Sequence, residues 1–230
     1  MGDVVNILAI ETATPACAMG LRTSEGVEFT LTVDDERHHT EALTPGIREL
    51  LNKVGLSAQS IGRVVVDRGP GLFTGLRVGI ATAVGIALAT GADLVGVTSL
   101  ELLAYGAHGA GVRGTLVACV DGRRGEVFIQ TFSLDEGVVA QSEPSVAVPA
   151  DVTTAWTTNA LGITFTGDGV ARYESEFLGV TNLSIFEQLV PSPLEALRLG
   201  LTRPASAEIV PLYLRESDAV ANFSTRQRFP

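Results

Sequence analysis

A glycine-rich stretch from Asp67 to Gly79, DRGPGLFTGLRVG, is the part of the sequence whose residue types most clearly suggest chemistry. It places four glycines between a strand-like apolar run and a long helix-like run. Such a loop can gather backbone N–H groups around an anion, and Arg68, Thr74 and Arg77 would add side-chain donors. The glycine spacing fits neither a Walker A loop nor the GxGxxG fingerprint, so close packing of helix on sheet is an equal alternative for the loop itself.

Two further polar turns could contribute to the same chemistry. The first, IETATPA, places Glu11 and Thr12 where a hairpin could face a phosphate, although threonines that satisfy their own backbone are slightly favoured. It has no Asp to hold Mg²⁺, and Pro15 removes a donor. The second, DGRRGE, places Asp121 at a strand end, where an ordinary hairpin is favoured over a ligand site. The candidate anion or nucleotide contacts are Glu11, Thr12, Arg68, Gly69, Gly71, Thr74, Arg77 and Asp121.

Metal and hydrolase chemistry have little support among the histidines and cysteines. His38 and His39 are adjacent, so they would not share a helix face, and His108 is the only other histidine. We therefore expect no metal site. No GxSxG elbow is present, and Cys17 lies in an apolar run where burial is the expected role. Cys17 and Cys119 have no paired spacing that would indicate a disulfide framework.

The composition indicates a folded, acidic protein. The 230 residues include 46% hydrophobic and 18% charged residues, and the formal net charge is −10. Such a surface repels a phosphate backbone, so we expect RNA to approach only through a local basic patch or a partner. The N-terminus lacks the features of a signal peptide. The apolar run that comes closest to a membrane span, Val78 to Ala89, is rich in small residues and shorter than the roughly 18 residues that a span needs. We expect a cytoplasmic protein.

The elements that would position the candidate residues alternate between strands and helices. Three apolar runs with tight turns predict an antiparallel meander, and RVVVD, which ends at Asp67, predicts a further strand. HHTEALTPGIRELLNKVG predicts a helix, and Thr74 to Thr90 predicts a second one rich in small residues. The later sequence predicts a hairpin, short strands in a mixed region, a helix from Leu194 to Leu201, an extended EIVPLYLRESDA segment and a mobile tail, FSTRQRFP.

Several of these stretches together resemble the TsaB (YeaZ) family. They are ILAIETATPACAMGL, HHTEALTPGIRELL, DRGPGLFTGLRVGIATAVGIALA, GVTSLELLA, DGRRGEVF and PLYLR. The resemblance implies an α/β fold of the ASKHA class (actin-like ATPase or ribonuclease H-like), with two lobes that each hold a mixed five-stranded sheet flanked by helices. With the turn-rich segment 106–114 as the boundary, it predicts an N-terminal lobe of residues 1–108 and a C-terminal lobe of residues 109–230.

The resemblance also implies a non-catalytic role in the N6-threonylcarbamoylation of adenosine 37 in tRNAs that read ANN codons. The metal histidines of the catalytic relative TsaD correspond to Ser99 and Leu103, and an acidic residue of TsaD corresponds to Pro15. The chain would support TsaD together with the ATPase TsaE, dimerise when alone, meet tRNA only through the complex, and need no cofactor beyond weak nucleotide binding at a shared interface. The expected partner interface comprises Leu43, Ile47, Leu50, Leu51, Gly75, Gly79 and Ala83.

Two other functions are alternatives to this interpretation. A stand-alone ATPase or phosphotransferase of the ASKHA class would bind Mg·ATP with Asp121 or Glu11 near the metal. The missing Asp in the first turn argues against it. A peptidase is the weakest alternative, because the sequence offers neither a metal dyad nor a credible nucleophile and base.

Overall fold

The computed structural model describes residues 5–33, 39–157, 162–177 and 183–215, which form two α/β lobes. The first half contains β1 (Asn6–Glu11), β2 (Cys17–Arg22), β3 (Glu28–Val33), α1 (His39–Lys53), β4 (Ile61–Asp67), α2 (Phe73–Thr90), β5 (Asp93–Val97) and α3 (Ser99–Gly109). The second half contains β6 (Thr115–Arg123), β7 (Glu126–Ser133), β8 (Val139–Ala140), β9 (Ser145–Ala147), α4 (Pro149–Thr157), β10 (Ile163–Thr166), α5 (Asp168–Arg172), α6 (Glu174–Phe177), β11 (Leu183–Phe186) and α7 (Pro193–Thr202).

The first sheet has the strand order β3-β2-β1-β4-β5. Strands β1 to β3 form the predicted antiparallel meander, and β4 pairs in parallel with both β1 and β5. The register aligns Ile10 of β1 with Val66 of β4. Each of these residues is followed by the last residue of its strand, so Glu11 and Asp67 end neighbouring strands side by side at one edge of the sheet.

The second sheet repeats this arrangement. Its order is β11-β10-β6-β7-β8, with β6 antiparallel to β7 and parallel to β10, which is in turn parallel to β11. Strands β6, β7, β10 and β11 therefore occupy the positions of β1, β2, β4 and β5. This duplicated topology is the ASKHA fold. The sheet has six strands rather than the expected five, because β8 and β9 both pair with β7 where the first lobe has only β3.

The two lobes exchange helices. Helix α7 comes from the C-terminal half but packs on β1, β2 and β4, and its Leu197 joins the same apolar cluster as Ile7 and Val65. Helix α3 comes from the N-terminal half but packs on β6 and β7, and its Leu103 shares a cluster with Phe128. A division at residue 108 thus falls between the two sheets. It separates α3 from the second sheet, which α3 covers, and α7 from the first sheet, which α7 covers. The tail predicted to be mobile lies outside the described residues.

Helix α2 has the length and composition of a membrane span, with 18 residues and a mean hydropathy of 1.5. A third of this helix is buried inside the protein. Its inner side packs on β4. One such helix is weak evidence for a membrane, because the core helices of globular proteins have the same properties.

Candidate functional site

The glycine loop packs against the turn between β1 and β2 of the same chain. A Cβ atom on Gly71 would come closer than 3.0 Å to the Ala13 carbonyl oxygen, and one on Gly75 would come equally close to the Thr12 carbonyl oxygen. A Cβ on Gly79 would collide with Thr12 Oγ1, which donates a 2.8 Å hydrogen bond to the Gly75 carbonyl. These glycines are therefore needed for a close approach between α2 and the first turn. This is the close packing that the sequence offered as the alternative to an anion contact.

Glu11 and Thr12 lie inside the fold. Both are fully buried, and the Glu11 carboxylate accepts hydrogen bonds from the backbone N–H groups of Ala13, at 2.7 Å, and Thr14, at 3.3 Å. The turn folds onto Glu11 and α2 covers Thr12, so this structure presents neither side chain at the surface, and their contact with an anion stays a prediction. A buried carboxylate would also repel a phosphate.

Asp67 lies beside Glu11 and is equally buried. Its Oδ1 accepts hydrogen bonds from the Gly69 N–H, at 2.7 Å, and from Ser99 Oγ, at 3.0 Å, while Oδ2 is buried without a partner in the part of the chain that the structure describes. Burial raises the pKa of Asp67 to about 7. Burial, followed by the charge of Asp67, raises the pKa of Glu11 well above its usual value. The pair therefore carries a proton over part of the neutral range.

The second lobe presents two more carboxyl groups at the corresponding edge. Asp168 Oδ1 accepts a 2.9 Å hydrogen bond from the Asp121 N–H, and Asp121 Oδ1 accepts one of 2.8 Å from the Arg123 N–H. Burial raises the pKa of Asp168 to about 6, and the Asp168 charge in turn contributes to the raised pKa of Glu11 in the other lobe. We call the region that holds the four carboxyl groups of Glu11, Asp67, Asp121 and Asp168 the acidic cleft. Asp121 is largely buried there and holds its own turn.

The remaining candidate donors point to the C-terminal segment. Arg77 lies 3.7 Å from the centre of the Phe73 ring, and its Nε donates a 3.3 Å hydrogen bond to the Tyr213 hydroxyl. Arg68 Nη1 lies 3.4 Å from the Val210 carbonyl oxygen. The Gly69 N–H is used by Asp67, and Thr74 is exposed in the first turn of α2. The structure therefore does not gather the predicted donors around one ligand.

The expected partner interface is also placed differently. All of its side chains or glycine positions are buried in the first lobe: Leu43, Ile47, Leu50, Leu51, Gly75, Gly79 and Ala83. The apolar side of α1 packs on β2 and β3, so its stripe covers the sheet of its own lobe. The solvent-facing side of α2 instead carries Ala81, Gly85 and Leu88, and the Leu88 side chain is 82% exposed.

The two positions that the resemblance relates to TsaD metal ligands, Ser99 and Leu103, serve the fold here. Ser99 Oγ lies 3.0 Å from Asp67 Oδ1 and 2.8 Å from the Pro70 carbonyl oxygen, and Leu103 is fully buried. Among the described residues, no group of three His, Cys, Asp or Glu side chains is arranged to hold a metal ion. His39 is buried with Nε2 3.0 Å from the Thr14 carbonyl oxygen, and His38 lies outside the described residues.

Both cysteines are free and buried. Burial raises the pKa of the Cys17 thiol to about 12 and moves that of Cys119 in the same direction. Neither thiol is a reactive group at neutral pH.

Comparison with known proteins gives the family. Residues 33–155 match the family model described as TsaD, tRNA N6-adenosine threonylcarbamoyltransferase. A solved YeaZ structure from Pseudomonas aeruginosa superposes with a TM-score of 0.77 at 25% identity, over 91% of this chain and 100% of that one. The chain belongs to the TsaB (YeaZ) family. A second solved structure, described as an uncharacterized protein with similarity to peptidase YEAZ from the same organism, gives a TM-score of 0.79 at 26% identity over 92% of this chain.

Two curated TsaB relatives show how far the family similarity extends. Each is described as tRNA threonylcarbamoyladenosine biosynthesis protein TsaB. The Escherichia coli protein is 35% identical over 63% of this chain, and the match spans 62% of that protein's length. The Bacillus subtilis protein is 27% identical over 97% of this chain and 100% of its own length. The similarity to the family therefore covers both lobes.

Sequence reasoning missed Asp67, Asp168 and Tyr213 as parts of this region. One signal was available: Glu11, Asp67 and Asp121 each end an apolar strand run, and Asp168 follows a fourth one after a glycine. The role of Tyr213 had no local signal, because its partners lie about 140 positions earlier in the chain.

Proposed function

We propose that this chain is a non-catalytic subunit in the biosynthesis of threonylcarbamoyladenosine in tRNA, and that it acts by docking on TsaD. In this proposal TsaD, assisted by TsaE, carries out the transfer to adenosine 37 of ANN-decoding tRNAs, and tRNA meets the chain only within the complex. The names of the TsaB relatives and the match to the TsaD family model support the pathway.

The observation that carries the docking proposal is the exposed side of α2. Leu88 is 82% exposed, and Ala81 and Gly85 lie two turns and one turn before it on the same side of the helix. Small residues at these two positions would let a second helix approach closely, and Leu88 would be buried by it. The partner that fits is therefore an apolar helix of TsaD, or of a second copy when the chain is alone.

The opposite side of α2 makes this surface rigid. Gly75 and Gly79 touch the first turn at distances that allow no side chain, and Ala83 is fully buried. A helix held in this way presents its outer side without rearrangement, which lowers the cost of association.

The acidic cleft supports a non-catalytic role. Glu11, Asp67 and Asp121 accept hydrogen bonds from backbone N–H groups of their own turns, and Asp168 accepts one from the Asp121 N–H. The four carboxyl groups would repel the phosphates of a nucleotide. At the two positions related to the metal histidines of TsaD, Ser99 holds Asp67 and Leu103 fills the core. Weak nucleotide binding belongs, in this proposal, at the interface with the partner and not in this cleft.

The variant Leu88→Glu tests the docking surface. It places a charge in the centre of the proposed interface, so we expect the affinity for TsaD to fall by about 100-fold and tRNA threonylcarbamoylation in the reconstituted system to fall with it. The matched control is Val139→Glu, which changes a side chain 54% exposed on the second lobe and should leave both quantities unchanged. Unchanged TsaD affinity in the Leu88 variant, with its fold intact, would contradict the proposal.

Calorimetry of Mg·ATP with the isolated chain separates this function from the stand-alone ATPase. We expect no tight binding and no turnover, because the cleft is acidic and its donors are used internally. Tight binding with turnover in the absence of TsaD would favour the ATPase.

A further inference from the structure

We propose that residues 206–215, which include the PLYLR motif, form a clasp that crosses from the first lobe to the second and holds the acidic cleft closed. This inference concerns the relation between the lobes, and it goes beyond docking on a partner.

The clasp is first fixed to the first lobe through its backbone. The Ser206 N–H donates a 2.7 Å hydrogen bond to the Leu94 carbonyl of β5, and the Leu212 N–H donates one of the same length to the Arg68 carbonyl at the start of the glycine loop. Between these points Ile209 is buried in the apolar cluster of the first lobe. The described residues of this segment belong to no helix and to no strand of the sheet.

The middle of the clasp covers the first turn of α2. The Tyr213 and Phe73 rings lie with their centres 4.9 Å apart, and Arg77 stacks on Phe73 while bonding to the Tyr213 hydroxyl. An aromatic pair of this kind adds to the attraction that buried area alone provides. Tyr213 thereby ties the clasp to the helix that the glycine loop positions.

The end of the clasp reaches the second lobe. Arg215 Nη1 lies 2.6 Å from Glu126 Oε2, and Nη2 donates a 2.9 Å hydrogen bond to the Gly122 carbonyl, so both ends of the β6–β7 turn are held. Leu214 packs against the apolar cluster of the second lobe. Leu214 and Arg215 therefore contact the second lobe. The preceding residues Ser206, Ile209 and Leu212 contact the first.

The clasp opposes the electrostatic repulsion between the carboxyl groups of the acidic cleft. Glu11 of the first lobe lies close enough to Asp168 of the second for the charge of Asp168 to contribute to the raised pKa of Glu11, and Asp67 lies beside Glu11. Charges of like sign at these positions repel each other and push the two lobes apart. The other charged groups that act on Asp67 and Asp168 are Arg68, Glu101, Asp121 and Arg123. The contacts of Tyr213, Leu214 and Arg215 act against this repulsion.

The test compares two arginines with nearly the same local contacts. Arg215 bonds to one glutamate and one glycine carbonyl across the lobes, whereas Arg22 bonds to Glu28 and to the Gly26 carbonyl within one turn. Their ion pairs are similarly exposed, at 29% and 35% for Arg215 and Glu126, and at 26% and 25% for Arg22 and Glu28. Arg215→Met should open the cleft, and Arg22→Met should not.

Two measurements on the full chain report opening. The first is hydrogen exchange at the Gly69 and Asp121 amides, which bond to cleft carboxylates; we expect roughly three- to tenfold faster exchange in Arg215→Met. The second is the distance between spin labels on Asn52→Cys and Glu136→Cys, both at exposed positions. Cys17 and Cys119 are buried and will not be labelled. We expect the interlobe distance distribution to broaden toward longer values.

Exchange and distances equal to those of the unsubstituted protein would overturn the clasp, and so would the same changes in Arg22→Met. Should Arg215→Met fail to fold, Glu126→Gln removes the same ion pair from the second lobe, and unchanged distances in that variant would equally overturn it. Docking on TsaD is measured separately with the Leu88 variant, so failure of the clasp leaves the proposed function standing.

Discussion

The substitution Asp67→Asn should make the protein less stable in acid and more stable at pH 8. Asp67 is fully buried, and its carboxyl has a pKa of about 7 in the folded protein against a usual value of 3.8. Between these values the unfolded chain loses the proton while the folded chain keeps it. The stability of the natural protein therefore falls as the pH rises through this window, and it is fully retained only below it.

The size of the effect follows from the width of the window. The interval from 3.8 to about 7 spans about three pH units, and each contributes about 1.4 kcal/mol, which gives a loss of about 4 kcal/mol by pH 8. The substituted asparagine never ionises and keeps an oxygen for the Gly69 N–H and Ser99 Oγ–H. Its amide nitrogen would occupy the place of Oδ2, which is buried without a partner among the described residues, at a cost of about 1–2 kcal/mol. We expect the variant to be about 1–2 kcal/mol less stable than the natural protein at pH 4 and about 2–3 kcal/mol more stable at pH 8.

Urea unfolding at half-unit steps from pH 4 to pH 8 measures this crossing. The control is Asp151→Asn, which changes an exposed carboxyl on α4 and should follow the natural protein within about 0.5 kcal/mol. Parallel curves for Asp67→Asn and the natural protein, or a lower stability of the variant at pH 8, would refute the assignment of a buried, proton-sharing carboxyl to Asp67.

Two further predictions concern helices that frame the cleft. Gly75→Ala should lower the free energy of unfolding by more than about 2 kcal/mol, because its Cβ would collide with the Thr12 carbonyl, whereas Gly85→Ala on the open side of the same helix should raise it by about 0.5–1 kcal/mol; equal effects in denaturant titrations would contradict the packing of α2. Thr98→Ala removes the capping box that Thr98 and Glu101 form at the start of α3 and should cost about 1 kcal/mol, and a melting temperature unchanged by this substitution would show that the cap is not used.

The elements of the fold were predictable because their signals are local. The start of α1 was predicted within one residue, from the period of its apolar residues and from Gly55 after its end. The end of β4 at Asp67 was predicted from the run RVVVD. The mixed region after residue 137 gave weaker predictions, because its strands are only two to four residues long and carry too few residues to show a period.

The direction in which each helix faces was not predictable in the same way. The stripe of Leu43 and Ile47 looks alike in sequence whether it covers the chain's own sheet or a partner, and the structure shows that it covers the sheet. Likewise, the spacing of Gly75 and Gly79 indicates a close approach without identifying what approaches, and the answer, Thr12, lies more than 60 residues away.

The acidic cleft depends on strand register. Glu11 and Asp67 meet only because β1 and β4 pair in parallel with Ile10 opposite Val66, and Asp168 joins them only when the second lobe is in place. Sequence places Glu11, Asp67 and Asp121 at the ends of apolar runs and Asp168 just after another, but it does not show which strands are neighbours.

The exchange of α3 and α7 decides how the molecule can be divided. A fragment of residues 1–108 would contain the whole first sheet but leave Ile7 and Val65 without the cover of Leu197, while Leu103 would project with no sheet beneath it. Such a fragment should aggregate, and the complementary one would leave α7 with nothing to bind. Any attempt to study one half by itself must therefore graft the last helix ahead of the first strand, as in a circularly permuted gene.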